Sequence, residues 1–178
     1  MQRVSFAAVL RVILTSLYVA LSVILQCSVF PYLRLFGVIP EFTLCAIVCV
    51  ACYEDERVSC ILAVCAGFLL DTVGGDKYTL SPFLFLLAAA LSIILSKNVF
   101  SKKILPALIS GVTALTVGAL KTTLILVISG APFIPALIKT ALPQFVYGMI
   151  LLLPVFLLTA LHYRIFKNSL QSKQGFYR

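Results

Sequence analysis

Long apolar runs broken by short polar or proline-glycine punctuation dominate this chain. They cover residues 12–30, 38–53, 58–71, 78–96, 104–130 and 136–161. A bilayer-spanning helix needs about 20 mainly apolar residues. The pattern therefore predicts an all-α, integral membrane six-helix bundle. The second and third runs are short and are joined by the charged turn Glu54-Asp55-Glu56-Arg57. That predicts two short helices forming a hairpin. A short span can thin the bilayer, lean on longer neighbours, or be continued by irregular backbone that protein buries. Ile39-Pro40-Glu41 reads as a helix start, with proline in the first turn and an acid beside the positive end of the dipole. Ala131-Pro132-Phe133-Ile134-Pro135 reads as a short turn. Pro143 and Pro154 read as kinks in the last span. Residues 1–178 thus form a single transmembrane domain, whose last segment, 162–178, is a basic tail.

Composition agrees with the pattern. The 178 residues are 62% hydrophobic and 11% charged, with a mean hydropathy of +1.13; soluble domains carry about 25% charged residues. The net charge of +8 is read as an orientation signal and not as a nucleic-acid footprint. With both termini cytoplasmic, ten lysines and arginines fall inside and three outside: Arg34, Lys77 and Lys139. That is the arrangement the positive-inside rule favours. The first apolar run is too long for a signal-peptide core and no A-x-A cleavage site follows it, so an uncleaved first span is expected.

Chemistry-bearing residues are few. Cys45, Cys49 and Cys52 share one helix face and read as a small apolar packing stripe; a lone C-x-x-C is a weak metal signal. His162 is the only histidine and is expected far from the intramembrane charges. No nucleophile-base set, metal motif or phosphate loop is present. The expectation is a non-enzymatic protein without a metal or other cofactor.

Asp71 is the anomaly. It stands at the end of the third apolar run, where an unpaired charge at the bilayer centre costs on the order of 3 kcal/mol. A carboxylate near a helix C-terminus also opposes the dipole. Lys121 lies within the fifth run, roughly 7 Å past its middle. Ala107, Gly111, Ala114 and Gly118 precede it on one narrow stripe, and small residues at such spacing let membrane helices approach closely. Lys121 continues that helix-packing seam. A buried Asp71–Lys121 charge pair follows as a structural or partner-coupling brace, with a charge swap expected to restore what either single change loses. Snorkelling to the headgroups, other partners (Lys139 for Asp71, Glu41 or Asp76 for Lys121) and a proton relay at Asp71 remain alternatives.

The order of features is itself recognisable. Leu25-Gln26-Cys27-Ser28 closes the first span, Ile39-Pro40-Glu41-Phe42 opens the second, and Ala66-Gly67-Phe68-Leu69-Leu70-Asp71 closes the third. Through residues 25–95 this resembles the rod shape-determining MreD family of bacterial inner membranes, whose members show an L-Q-x-S element, a Pro-Asp/Glu pair and a Gly-Phe-x-x-Gly-Leu-x-x-Asp-like element. Here the second glycine of the last element is missing. The family-motif positions are Gln26, Pro40, Glu41, Gly67 and Phe68. The resemblance implies a non-enzymatic scaffold subunit of the cell-elongation machinery in the bacterial cytoplasmic membrane. Its partners would be a bitopic MreC-like protein, an MreB-like filament, the glycosyltransferase–transpeptidase pair that builds lateral peptidoglycan, and membrane lipid; no nucleic acid is implied. The alternative is a substrate-binding subunit of an energy-coupling-factor vitamin transporter, a small six-span bundle thought to be similar in fold. A third reading, an ion or proton transporter, rests on the intramembrane charges alone.

Overall fold

The computed structural model of the chain describes residues 6–33, 38–74, 80–98, 104–130 and 132–174. The elements are α1 (Phe6–Ser28), α2 (Phe42–Ala51), α3 (Glu56–Gly74), α4 (Ser81–Asn98), α5 (Ile104–Ile128), the one-turn α6 (Phe133–Ala136), a π-helical turn (Leu137–Ala141) and α7 (Leu142–Gln174). Among the described residues the fold is helical. Four segments are long and apolar enough to cross a membrane: Val9–Ser28, Glu56–Gly74, Leu105–Ile128 and Phe133–Arg164. Phe42–Ala51 and Ser81–Lys97 are shorter apolar helices. Length and composition thus make this a membrane protein.

The centre of the bundle is α2, which touches α1, α3, α4, α5 and α7. Thr43 through Ala51 are all buried. Its small side chains, Cys45, Ala46, Cys49 and Ala51, let the neighbours close in; between membrane helices such packing replaces the hydrophobic drive. The cysteine stripe packs with Ala107 and Leu115 of α5 and Leu152, Val155 and Phe156 of α7. On the other side, Leu44, Ile47 and Val48 join Val19 and Val23 of α1 and Phe85, Ala88 and Ala89 of α4. Ten residues make a helix of roughly 15 Å, about half a bilayer core. The chain before it, 38–41, is not helical, yet Val38, Pro40 and Glu41 are buried. Non-helical backbone at such depth needs protein or a polar cavity around it.

The short-hairpin expectation holds for α2 but not for α3. The third helix has 19 residues and runs past Asp71 to Gly74. Asp71 does not stop it because its carboxylate faces the next helix, as described below, while Thr72 bonds back to the Phe68 and Leu69 carbonyls at 2.8 and 3.0 Å. The turn expected over 131–135 is also shorter than the pattern predicts. Gly130 ends α5 with a left-handed φ of 92°, a conformation glycine adopts without steric cost, and helix resumes at Phe133. Pro135 is tolerated in that first turn because its missing N–H would have had no helical partner. The π-helical turn then precedes Pro143, which lacks the N–H a regular turn would use. Pro154 lies inside α7, which continues through it and on to Gln174. The basic segment after residue 161 is therefore an extension of the last helix; residues 175–178 and Asp76 lie outside the described residues.

Contacts define two ends of the bundle. One gathers Arg11 of α1, the α2–α3 turn, Lys97 of α4 and Tyr163 of α7. The other gathers Gln26, the start of α2, the end of α3, the start of α4, Lys121 and Gln144.

Candidate functional site

At this second end a cavity of about 450 Å3 opens over the N-terminus of α2. Its polar lining is Gln26 and Cys27 of α1, Glu41 before α2, Lys121 and Thr122 of α5, and Gln144 of α7. Ile39, Leu70, Val73 and Leu126 are among the apolar walls. The cavity stands where a full-length second span would have continued beyond Phe42.

Each motif position has a local task. The Gln26 side-chain oxygen accepts from the Thr43 backbone N–H at 2.6 Å. It thereby caps α2, since Glu41, the N-cap residue, makes no side-chain cap bond of its own. Glu41 accepts from Gln144 Nε2 at 3.1 Å. Its negative charge sits at the positive end of α2, where it is stabilised. Gly118 of the seam lies close to Glu41: a Cβ there would come within 3.3 Å of both the Glu41 carboxylate and Leu44, a tight contact that those side chains would have to yield to. Pro40 is fully buried, and its carbonyl accepts from Phe42 N at 3.0 Å. Gly67 lies against the start of α4, where a Cβ would stand 2.4 Å from Pro82 Cα and 2.5 Å from its nitrogen. Phe68, by contrast, is 55% exposed on the outside of the bundle and takes no part in the site.

Asp71 and Lys121 converge on one residue. Asp71 Oδ2 accepts from the Ser81 backbone N–H at 3.1 Å, and Lys121 Nζ donates to the Ser81 hydroxyl at 2.5 Å. The carboxylate at the last turn of α3 thus caps α4, and the favourable dipole of the second helix answers the unfavourable one of the first. Asp71 Oδ1 is buried without a hydrogen-bond partner. Ser81 is fully buried and was not singled out from the sequence. Its signal is Ser81-Pro82, a cap residue followed by a first-turn proline.

The rest of the seam runs toward the opposite end. Ala107 and Ala114 are buried, and a Cβ on Gly111 would meet Leu152 Cδ2 of α7 at 2.4 Å. There a second polar network closes the bundle. Arg11 pairs with Glu54 at 2.7 Å and Asp55 at 3.3 Å. Tyr163 donates to Glu54 at 2.5 Å and stacks on Tyr53, with ring centres 5.1 Å apart. His162 stacks on Tyr18 at 6.1 Å. The Glu54 side chain is wholly buried, whereas a charged turn ordinarily reads as solvated.

Among the described residues, no group of three or more His, Cys, Asp and Glu is arranged to hold a metal. Compared with protein families, with curated proteins and with solved structures, the chain matches none.

Proposed function

We propose that this chain is a non-enzymatic scaffold subunit of the bacterial cell-elongation complex, similar in role to the MreD family. The observation that carries the reading is the fate of the ordered motif. Apart from Phe68, which is exposed on the outside of the bundle, the motif residues Gln26, Pro40, Glu41, Gly67 and Asp71 are scattered over 46 positions of sequence, yet all serve one end of the bundle. Each fixes a helix start or a helix crossing. Such a set shapes a surface and holds it rigid. The proposed role is to hold an MreC-like bitopic protein and, through it and an MreB-like filament, to position the glycosyltransferase–transpeptidase pair of lateral wall synthesis. Lysine and arginine counts support a multi-pass orientation in the bacterial cytoplasmic membrane with both termini inside.

Depletion of the protein in a rod-shaped host should round the cells, and the tagged chain should copurify with an MreC-like partner. Normal rods on depletion, with no such partner recovered, would overturn the reading.

The cavity favours a second reading, the substrate-binding subunit of a vitamin transporter. Small-molecule sites are concave and commonly lined by aromatic side chains. The described lining of this cavity has none, so the scaffold reading is preferred. Depletion that blocks growth only without an external vitamin, and leaves shape unchanged, would reverse that preference.

A further inference from the structure

We infer that the cavity over α2 binds a small zwitterion, with a primary ammonium at Gln144 beside Glu41 and an anionic group facing Lys121. The argument starts at Gln144, which is 6% exposed. A carboxylate only accepts hydrogen bonds, so the amide must turn Nε2 toward Glu41. That orientation leaves Gln144 Oε1 buried and without a partner. Leaving a buried acceptor without its hydrogen bond leaves its desolvation cost uncompensated, so this position asks for a donor. Glu41 stands next to it, and an ammonium is the donor that meets both a neutral acceptor and a nearby negative charge. Lys121 lines the same cavity and would repel a simple cation. A ligand that carries its own anionic group matches both poles.

The space agrees with the chemistry. About 450 Å3 falls in the range of ligand pockets, roughly 300–1,000 Å3. The walls beyond the polar groups, among them Ile39, Val73 and Leu126, suit a hydrocarbon stem. An aminoethyl phosphate fits this description, either free or as the headgroup of phosphatidylethanolamine. The inference concerns the isolated chain and stands apart from the scaffold reading.

The test uses the full chain purified in detergent. Thermal unfolding and native mass spectrometry are followed while phosphatidylethanolamine, phosphatidylglycerol or free phosphoethanolamine is titrated in. Phosphatidylethanolamine should raise the unfolding temperature and remain bound, and phosphatidylglycerol, which lacks the amine, should not. If free phosphoethanolamine acts as well, the headgroup alone suffices; if only the lipid acts, the source is the bilayer; either result supports the site. Gln144→Leu should weaken binding about tenfold, the equivalent of one charge-assisted hydrogen bond. Leu126→Phe should also weaken it by narrowing the cavity while leaving every polar group in place. It serves where Gln144→Leu fails to fold. Equal responses to the two lipids, or none to either lipid or to phosphoethanolamine, would overturn the inference and leave the cavity to water.

Discussion

Gly67 is held by atoms that cannot move away. A methyl group there would collide with the backbone of Ser81 and Pro82, so relief requires α3 and α4 to separate. Gly67→Ala should cost about 1–3 kcal/mol in the thermal unfolding of the purified protein. Gly74→Ala is the control. Nothing lies within 4 Å of a Cβ at Gly74, and the change should stay within about 0.5 kcal/mol. Asp71 poses a different residue-scale question. Because its partner is a backbone N–H, Asp71→Asn keeps an acceptor and should be milder than Asp71→Leu, which orphans the Ser81 N–H at about 1–3 kcal/mol. The same geometry reverses the expectation for the charge swap. A lysine at position 71 cannot accept from that N–H, so Asp71→Lys with Lys121→Asp should remain as unstable as Asp71→Lys alone. Recovery of wild-type stability in the double variant would show that net charge, and not the cap, is what the site requires.

At the scale of elements, two helix starts are capped from other helices: Gln26 of α1 caps α2, and Asp71 of α3 caps α4. Removing an N-cap costs about 1 kcal/mol. Gln26→Leu should therefore lower the unfolding free energy by about that much, and raise hydrogen exchange first at Thr43 and its neighbours. Unchanged exchange there would mean that another group takes over the cap. The seam on α5 gives a graded comparison. A Cβ at Gly111 meets only the end of the Leu152 side chain, so Gly111→Ala should cost less than Gly67→Ala, where the obstacle is backbone.

Across the whole molecule, the two ends are tied by different means. The cavity end is held by caps and close crossings, the other by the Arg11–Glu54–Tyr163 network, which links α1, the α2–α3 turn and α7. Leaving Arg11 without its buried partner should cost several kcal/mol at most, given that removing one member of a fully buried pair costs about 3–5 and Arg11 retains 29% exposure. Glu54→Ala is thus expected to loosen the end that carries Arg11 and Tyr163, seen as faster proteolysis there. The Lys97–Glu56 pair is more than half exposed at both side chains. Glu56→Ala should leave stability nearly unchanged, because exposed pairs are screened by solvent. Equal effects of the two substitutions would show that burial does not set the worth of these pairs here.

The sequence by itself determined the number of apolar segments, most of their ends and the small-residue seam. These follow from local run length, punctuation and helical period, which need no knowledge of neighbours. It also marked Asp71 and Lys121 as charges at odds with their surroundings, Glu41 as part of a helix start, and Gln26 as a motif position. Tertiary structure alone decided that the short second helix is the central one, that Asp71 and Lys121 meet on Ser81, that Glu54 is buried, and that a cavity fills the space above α2. Those facts depend on which helices pack side by side, and residues on different helices leave no periodic trace of their contact in a single chain.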